Sequence, residues 1–520
     1  MALYDRSKAR RSLFDTITYR GVSQLTTVLG YVVLVRAISK EDFGLLNLLY
    51  SFIPLVGTAA SLGLEQTLRR FQPEYLRVGN LAGAAWLVRR VAALRFVTNL
   101  VILGLVLLVW KHVAPRFDLG PYRTEFGIFS LIILLYFQTQ VLQLTLAAHM
   151  LHRFSVGSIA MLSFVKLTAY SILAFEHALT LRRAIYADLL ASALVYVFLR
   201  IIYRRKCRLE APSSEYRPAQ SERKRLLKYG AFNNFNDAGT LFLDSRIDNF
   251  FIAAFMNPVA VGIYSFYMRL NEMALNLLPG RLFDNIIQPM FFAVKPAQAD
   301  ERVPQYFTFL LNTNLLMLWP VLTFCTAYHA ELVRVVFGGK FAEQSWLLPL
   351  IVGFATINNF STPVALVAQY EEKPQIQLLS KVFAIYNVIA MLVLVPSLGL
   401  YGAALAIGSS QILKNAFVWW HVRRRAVWLN AGSSIAGGVA TWAAVAALCF
   451  AVKAAVPAPA WLQLGFGVLI IAGAMLLWIR GPALCGSDRA ILVNLFQGRE
   501  ARLLRVLGLL HQRTGEPAAS

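Results

Sequence analysis

Long apolar segments recur along the whole chain, and short polar connections separate them. Two of them, LVILGLVLLVW at 100–110 and LGFGVLIIAGAMLLWI at 464–479, contain no charged residue. A helix needs about 20 mostly apolar residues to cross a bilayer. The pattern therefore predicts an all-α, polytopic membrane protein with about fourteen transmembrane helices. Their approximate positions are 14–35, 43–64, 84–110, 125–148, 155–175, 184–203, 229–255, 259–290, 305–328, 345–368, 376–396, 400–420, 432–453 and 461–480.

Composition and charge agree with this prediction. Hydrophobic residues make up 58% and charged residues 15% of the 520 positions, against about 25% charged residues in soluble domains. The net charge of +23 comes from basic residues concentrated in alternate connections, as expected on the cytoplasmic side. We therefore expect both termini in the cytoplasm, no cleavable signal peptide and no nucleic-acid partner. The four cysteines have no metal-ligand spacing, so no metal site is predicted.

The two halves of the chain resemble each other weakly. Gly21 and Gly239 are separated by 218 residues, and so are Gly44 and Gly262. Repeated helical bundles of this kind place a binding site between the halves, near the membrane midplane. We predict two six-helix bundles related by a pseudo-two-fold axis, plus two C-terminal helices. The segments are an N-terminal bundle at 1–203, a basic cytoplasmic linker at 204–228, a second bundle at 229–425, two additional helices at 426–480 and a basic amphipathic cytoplasmic tail at 481–520.

Polar residues form a stripe through the apolar segment 229–255. Their spacings of 4, 3, 4 and 4 put them on one face of a helix: Asn233, Asp237, Thr240, Asp244 and Asp248. Ionisable groups inside a bilayer are costly and usually face water or a partner charge. Comparable faces occur in the first, second and eighth predicted helices. They comprise Arg20, Gln24, Thr27 and Tyr31; Asn47, Tyr50, Pro54, Thr58, Ser61 and Glu65; Arg269, Glu272 and Asn276; and Arg281, Asp284 and Gln288. Together they predict one hydrated cavity.

Basic residues within these helices suggest that the cavity binds an anion. The candidate substrate-binding cations are Arg20, Lys166, Arg246, Arg269, Arg281, Lys381 and Lys414. Arginine binds phosphate well because its fork donates parallel hydrogen bonds. The candidate polar lining residues are Gln24, Thr27, Asn47, Asn233 and Asn276. The candidates for coupling to a proton or a sodium ion are Asp237, Asp244, Asp248 and Glu272.

Several of these charges have a structural alternative. Arg269 with Glu272, like Arg281 with Asp284, is spaced i, i+3 and can neutralise its partner. Asp248 can pin its helix to the next one. We expect Asp188, in the sixth helix, to be a hydrogen-bonded structural acid. We expect Arg36 and Arg95, near helix ends, to reach the membrane surface, and Glu41 and Asp42 to stabilise the start of the second helix.

Four motifs resemble those of polysaccharide and oligosaccharide flippases of the multidrug/oligosaccharidyl-lipid/polysaccharide superfamily. They are RAISKEDFGLLNLLYSF (36–52), RIDNFFIAAFMNPVAVGIYSFYMRL (246–270), FGGKF (337–341) and VPSLGLYGAALAIGSS (395–410). The resemblance runs from about residue 13 to 480, and Asp248 and Gly262 match the family pattern. It implies two six-helix bundles, two extra helices and a cationic cavity that opens alternately to each side.

The same resemblance implies the cargo. It is a sugar or oligosaccharide on a polyprenyl diphosphate, moved from the cytoplasmic to the outer leaflet of the bacterial inner membrane for O-antigen, exopolysaccharide or capsule synthesis. No cofactor is expected apart from a coupling proton or sodium ion. We expect a functional monomer, with other polysaccharide-assembly membrane proteins as candidate partners. Two alternatives remain. A multidrug antiporter of the superfamily is disfavoured by the many intramembrane bases, and a membrane glycosyltransferase or polymerase by short outer loops.

Overall fold

The computed structural model describes residues 6–208, 216, 218–241, 243–276, 294, 296–427, 431–480, 484 and 486–495. All regular elements among these residues are helical, which confirms the all-α class. Ten segments of the described chain are long and apolar enough to cross a membrane. The protein is therefore a multi-pass membrane protein. Internal contacts divide the chain into a first unit, Met1–Ser265 with Val388–Ala403, and a second unit, Phe266–Asn387 with Ala404–Ser520.

In the part of the chain that the structure describes, the first unit is built mainly from nine helices. They are α1 (Arg6–Ala37), α2 (Lys40–Ala59), α3 (Leu64–Arg77), α4 (Leu81–Val113), α5 (Arg123–Ala148), α6 (His152–Phe175), α7 (Leu181–Tyr203), α8 (Gln220–Leu241) and α9 (Ser245–Phe255), followed by the start of α10 (Pro258–Leu275). Side chains from α3, α4, α5 and α7 enclose an apolar core around Phe71, Leu87, Leu142 and Leu199. Amphipathic α3 lies between two long apolar helices and contributes its buried face to that core.

A capping interaction starts α2. The hydroxyl oxygen of Ser39 accepts a hydrogen bond of 3.0 Å from the backbone N–H of Asp42. Glu41 and Asp42 occupy the first turn, where negative charge is favoured by the helix dipole. The prediction for these two acids is confirmed.

Two repeated glycines meet each other in the first unit. A Cβ added to Gly44 on α2 would lie 1.7 Å from the carbonyl oxygen of Pro258 at the start of α10. A Cβ added to Gly262 on α10 would lie 3.1 Å from the Cα of Gly44. Only glycine permits backbones to approach this closely. The sequence repeat therefore coincides with a helix–helix contact.

Within the described residues, the second unit contains the end of α10 and the helices that follow it. They are α11 (Ala299–Phe337), α12 (Leu347–Ile357), α13 (Ser361–Tyr370), α14 (Pro374–Leu379), both ends of α15 (Phe383–Val422), α16 (Ala431–Ala455), α17 (Ala460–Arg480) and α18 (Gly486–Leu495). Their core includes Phe307 and Tyr328 from α11, Trp442 from α16 and Trp478 from α17.

The long element α15 is a hairpin of two helices. Gly399 interrupts it with a φ of 59° and a ψ of −133°. The rings of Phe383 and Phe417 lie 5.8 Å apart, although a straight helix would separate them by about 50 Å at 1.5 Å per residue. The chain therefore reverses near Gly399, which confirms two spans where the sequence predicted 376–396 and 400–420.

The predicted continuous helix at 229–255 is wrong. One helix, α8, already begins at Gln220 and ends at Leu241, and α9 begins at Ser245. Asp244 caps α9, because its carboxylate accepts a 2.9 Å hydrogen bond from the backbone N–H of Arg246. The stripe from Asn233 to Asp248 is thus divided between two helices, since a strong N-cap residue interrupts the apolar pattern.

The start of the predicted tail, which includes α18, packs on the second unit. Asp488 on α18 is fully buried, and its carboxylate accepts a 2.7 Å hydrogen bond from the side-chain amide of Asn312 on α11. The described part of this tail therefore docks on protein through a buried acid. Residues 496–520 lie outside the described residues.

Candidate functional site

A buried acid with three donors lies in the first unit. Asp188 on α7 is fully buried. Its Oδ1 accepts a 2.5 Å hydrogen bond from the hydroxyl of Tyr170 and lies 2.9 Å from Nζ of Lys166, both on α6. Its Oδ2 accepts a hydrogen bond from the hydroxyl of Tyr50 on α2. The expectation of a hydrogen-bonded Asp188 is confirmed.

Lys166 is the accessible member of this cluster. Its Nζ also donates a 2.8 Å hydrogen bond to the hydroxyl of Tyr50, and 23% of its side chain is exposed, against none for Asp188. An ammonium group inside a membrane span is costly in lipid, so we expect the exposed part of the Lys166 side chain to face water. The sequence identified Lys166 and Tyr50 as polar positions but missed Tyr170, although Tyr170 follows Lys166 by one helical turn.

Hydroxyl groups continue this polar surface between α1 and α6. The hydroxyl groups of Thr27 and Ser163 are 2.8 Å apart, and that of Ser23 is 3.5 Å from Ser163. Ser163 precedes Lys166 by three residues, so both lie on the same face of α6. Of the other candidates on α1, Gln24 is half-buried and Arg20 is exposed.

The prediction for Arg95 is wrong. Arg95 lies on α4 and its side chain is buried. Its Nε lies 2.7 Å from the carboxylate of Glu65 on α3. Nη2 donates a 2.9 Å hydrogen bond to the carbonyl of Gly57, and the guanidinium lies 4.1 Å from the ring centre of Phe137. Glu65 and the ring of Phe137 therefore stabilise the guanidinium inside the protein, in place of the water that it would contact at the membrane surface.

A second buried polar cluster joins α2, α9 and α10. The fully buried carboxylate of Asp248 accepts a 3.0 Å hydrogen bond from the hydroxyl of Tyr264. Asn249 donates to the hydroxyl of Ser51 at 2.9 Å and accepts from that of Ser265 at 3.1 Å. Asp248 therefore does connect its helix to the next one, as the structural alternative predicted.

Several candidates form local pairs. Nε of Arg246 lies 3.5 Å from the carboxylate of Asp244, and Nη1 of Arg269 lies 2.8 Å from that of Glu272. The side-chain amides of Asn47 and Asn233 each donate to a carbonyl one turn earlier in their own helices. Asn276 follows the end of α10, where its backbone N–H donates to the carbonyl of Glu272. The side chain of Asp237 and all of Arg281 lie outside the described residues.

Two predicted cations line one pocket in the second unit. Lys381 belongs to the 3-10 turn Ser380–Val382, and Lys414 lies on α15. Their pocket has a volume of about 450 Å³. Its other polar lining residues are Ser361, Thr362, Gln369, Gln377, Ser380 and Asn415. Two ammonium groups with neutral donors and acceptors form a setting suited to an anion such as phosphate.

A larger cavity in the same unit is apolar. It has a volume of about 620 Å³ and is lined by α11, α12, α15 and α16, with the rings of Trp319, Phe360 and Trp419 among its walls. Arg423 also lines it. Such a lining suits hydrocarbon with a polar group at one edge.

Comparison with known protein families places the chain in one of them. A family model described as "Polysaccharide biosynthesis protein" matches residues 33–346, more than half of the chain. The chain belongs to this family. The flippase resemblance drawn from four sequence motifs is thereby confirmed. No curated protein sequence matches the chain.

Solved structures share the fold of this family member at low sequence identity. One is described as "Lipid II flippase MurJ, inward closed conformation", with 11% identity, a TM-score of 0.65, and coverage of 89% of this chain and 98% of that chain. Another is an inward-facing multidrug resistance MATE family transporter of the MOP superfamily, with 12% identity, a TM-score of 0.61, and coverage of 79% and 98%. A third is a MOP superfamily transporter from Pyrococcus furiosus, with 14% identity, a TM-score of 0.54, and coverage of 81% and 95%. That transporter is described as having a binding pocket of reverse polarity. The chain therefore has the fold of membrane flippases and transporters.

Proposed function

We propose that this protein moves a polyprenyl-diphosphate-linked sugar or oligosaccharide from the cytoplasmic to the outer leaflet of the bacterial inner membrane by alternating access. The observation that carries the proposal is the pocket lined by Lys381 and Lys414 in a membrane-spanning member of a polysaccharide biosynthesis family. A diphosphate loses hydration when it enters a membrane, and ammonium groups can replace that hydration. An organic cation, the cargo of a drug antiporter, would be repelled there.

The depth of the pocket suits loading from the cytoplasmic leaflet. Lys414 precedes the end of α15 at Val422 by eight residues, which is about 12 Å at 1.5 Å per residue. Arg423, Arg424 and Arg425 follow directly, and such clusters belong to the cytoplasmic side. A headgroup in that leaflet would thus reach the pocket near the membrane surface, while its polyprenyl tail stays in lipid.

The membrane potential favours the proposed direction. Outward movement of a negative charge gains about 2.3 kcal/mol per charge for each 100 mV of inside-negative potential. Coupling to a proton or sodium ion would add to this, with Asp237, Asp244, Asp248 or Glu272 as the acid. The transporting unit in this proposal is a monomer, and its partners are other polysaccharide-assembly membrane proteins. A membrane-bound glycosyltransferase is the alternative from the enzyme class.

Proteoliposomes carrying a polyprenyl-diphosphate-linked glycan test this function. An impermeant glycosidase or lectin would report glycan exposure, with and without a membrane potential. We expect protein-dependent exposure that increases when the compartment of origin is negative. The double variant Lys381→Gln, Lys414→Gln should lower the rate at least tenfold, since hydrogen bonds to charged groups contribute roughly 1.5–3 kcal/mol each.

Lys224→Gln is the matched control, because Lys224 is exposed on α8 outside the membrane spans. It removes the same charge and should leave the rate unchanged. Full activity of the double variant would refute the cationic pocket. Absence of exposure for several glycans, with efflux of an organic cation, would favour the antiporter instead.

A further inference from the structure

Asp188 accepts hydrogen bonds from two tyrosine hydroxyls in addition to its ion pair with Lys166. The hydroxyls of Tyr50 and Tyr170 donate to different carboxylate oxygens. If Nζ of Lys166 moved away, each oxygen of Asp188 would keep one hydrogen bond. A buried carboxylate without partners is strongly destabilising, and here two hydroxyls reduce that cost. The ion pair can therefore open without leaving the acid unsolvated.

We propose that Lys166 is an exchangeable counter-ion, which neutralises Asp188 in the empty protein and turns to the anionic diphosphate headgroup when substrate enters. The inference rests on the function proposed above and deepens it. Three features support exchange rather than a fixed strut. Lys166 is partly exposed whereas Asp188 is buried. Its flexible four-carbon stem lets the ammonium reorient. Ser163 supplies a hydroxyl one turn away on the same face of α6, and the hydroxyl of Thr27 on α1 lies 2.8 Å from it.

Such an exchange would tune affinity. The headgroup must compete with Asp188 for Lys166, so the apparent affinity is lower than that of a free ammonium by the fraction of time the ion pair is open. A carrier benefits from this, because a headgroup held too strongly would not be released on the far side. When the diphosphate leaves, Asp188 takes Lys166 back and restores the empty state.

Binding of polyprenyl diphosphate to the full-length protein in detergent tests the exchange without requiring transport. Asp188→Asn removes the competing charge while its amide can still bond the tyrosines, so affinity should rise about tenfold, equivalent to ~1.4 kcal/mol. Lys166→Gln should lower affinity at least tenfold. Tyr170→Phe removes one donor and makes Asp188 depend more on Lys166, so affinity should fall about threefold, a smaller loss than for Lys166→Gln.

Glu331→Gln is a matched control. Glu331 pairs with Lys453 at 2.7 Å, with 8% of the Glu331 and 28% of the Lys453 side chain exposed, so it opens a similar ion pair away from Asp188. Its affinity for the diphosphate should equal that of the natural protein, measured per folded molecule. All variants are compared by gel filtration and thermal unfolding. If the Asp188→Asn variant does not fold, a lower affinity of the Tyr170→Phe variant together with an unchanged affinity of the Glu331→Gln variant supports the exchange.

Three results would overturn the inference. Lower or unchanged affinity in a folded Asp188→Asn variant, with normal binding by the natural protein, would make the pair a fixed strut and leave the proposed function standing. Unchanged affinity in Tyr170→Phe would do the same if Asp188→Asn cannot be obtained. Absence of diphosphate binding by the natural protein would overturn both proposals together.

Discussion

Replacing Gly44 by alanine tests the close contact between α2 and α10 in the first unit. The new Cβ would lie 1.7 Å from the carbonyl oxygen of Pro258 and 2.5 Å from its carbonyl carbon. Nonbonded heavy atoms normally settle at about 3.5–4.0 Å, so α2 and α10 would have to separate locally by roughly 2 Å. Both neighbouring atoms belong to the backbone, so rotation of a side chain cannot relieve the overlap.

Two opposing effects set the magnitude. Alanine is favoured over glycine inside a helix by about 1 kcal/mol. Overpacking costs typically about 1–3 kcal/mol and sometimes more, and an overlap this deep belongs at the upper end. We expect a net loss of about 2 kcal/mol for Gly44→Ala. Gly262→Ala should lose less, because its Cβ would meet the Cα of Gly44 at 3.1 Å. Gly21→Ala should lose nothing, because its Cβ would have no neighbour within 4 Å.

Thermal unfolding of the purified protein in detergent, followed by loss of the monodisperse gel-filtration peak, would rank the three variants. The expected order of midpoints is Gly21→Ala at or above the natural protein, then Gly262→Ala, then Gly44→Ala. A Gly44→Ala midpoint equal to that of the natural protein would refute the argument from close approach. Equal losses in Gly44→Ala and Gly21→Ala would show that the effect does not come from this contact.

Two further predictions concern ion pairs. Glu331→Gln should destabilise the second unit by about 1.5–3 kcal/mol, because Lys453 loses its charge partner but stays partly exposed and keeps its hydrogen bond to the carbonyl of Ala327; the double variant Glu331→Leu, Lys453→Met should recover most of the lost thermal stability, and failure to recover would contradict this account. Glu74 on α3 accepts hydrogen bonds from Arg225 on α8 and from Arg70. These contacts lower the pKa of the Glu74 carboxyl group, first through the hydrogen bond from Arg225 and then through the charges of both arginines. A lowered pKa means that the α3–α8 contact is stabilised above the unfolded-state pKa of about 4.3 and loses this stabilisation as pH falls through the lower folded-state value. Amide exchange in α8 should therefore rise below about pH 4 in the natural protein, whereas a Glu74→Gln variant should lack this step; the same step in both would assign it to another group.

The sequence predicted best where one short segment decides the structure. The apolar run around Gly399 was correctly divided into two spans, since Gly399 and Pro396 interrupt it. The helix break before Ser245 was missed because the polar spacing continues through it, although an aspartate N-cap was present. The helical spacing of polar residues continues in the sequence even where the backbone is not helical.

Side-chain partnerships between distant helices were harder to foresee. Lys381 and Lys414 were recognised as cations, but their common pocket exists only because the α15 hairpin returns the chain. Arg95 was misassigned because Glu65, on the separate helix α3, neutralises it. Tyr170 went unnoticed because an isolated tyrosine in an apolar helix carries no signal until its acid partner is placed. Fold class follows from hydropathy, whereas the pairing of buried charges needs three-dimensional neighbours.

The hydrogen bond between Asn312 and Asp488 joins positions 176 residues apart, and this imposes an order on biosynthesis. Translation inserts α11 into the membrane long before the ribosome reaches α18. The interior position that Asp488 occupies can be filled only after α16 and α17, which precede α18 in the chain, have been synthesised. Docking of α18 is thus a late packing step of the second unit, and a nascent chain halted before it would expose an unfinished surface of α11 to cellular quality control.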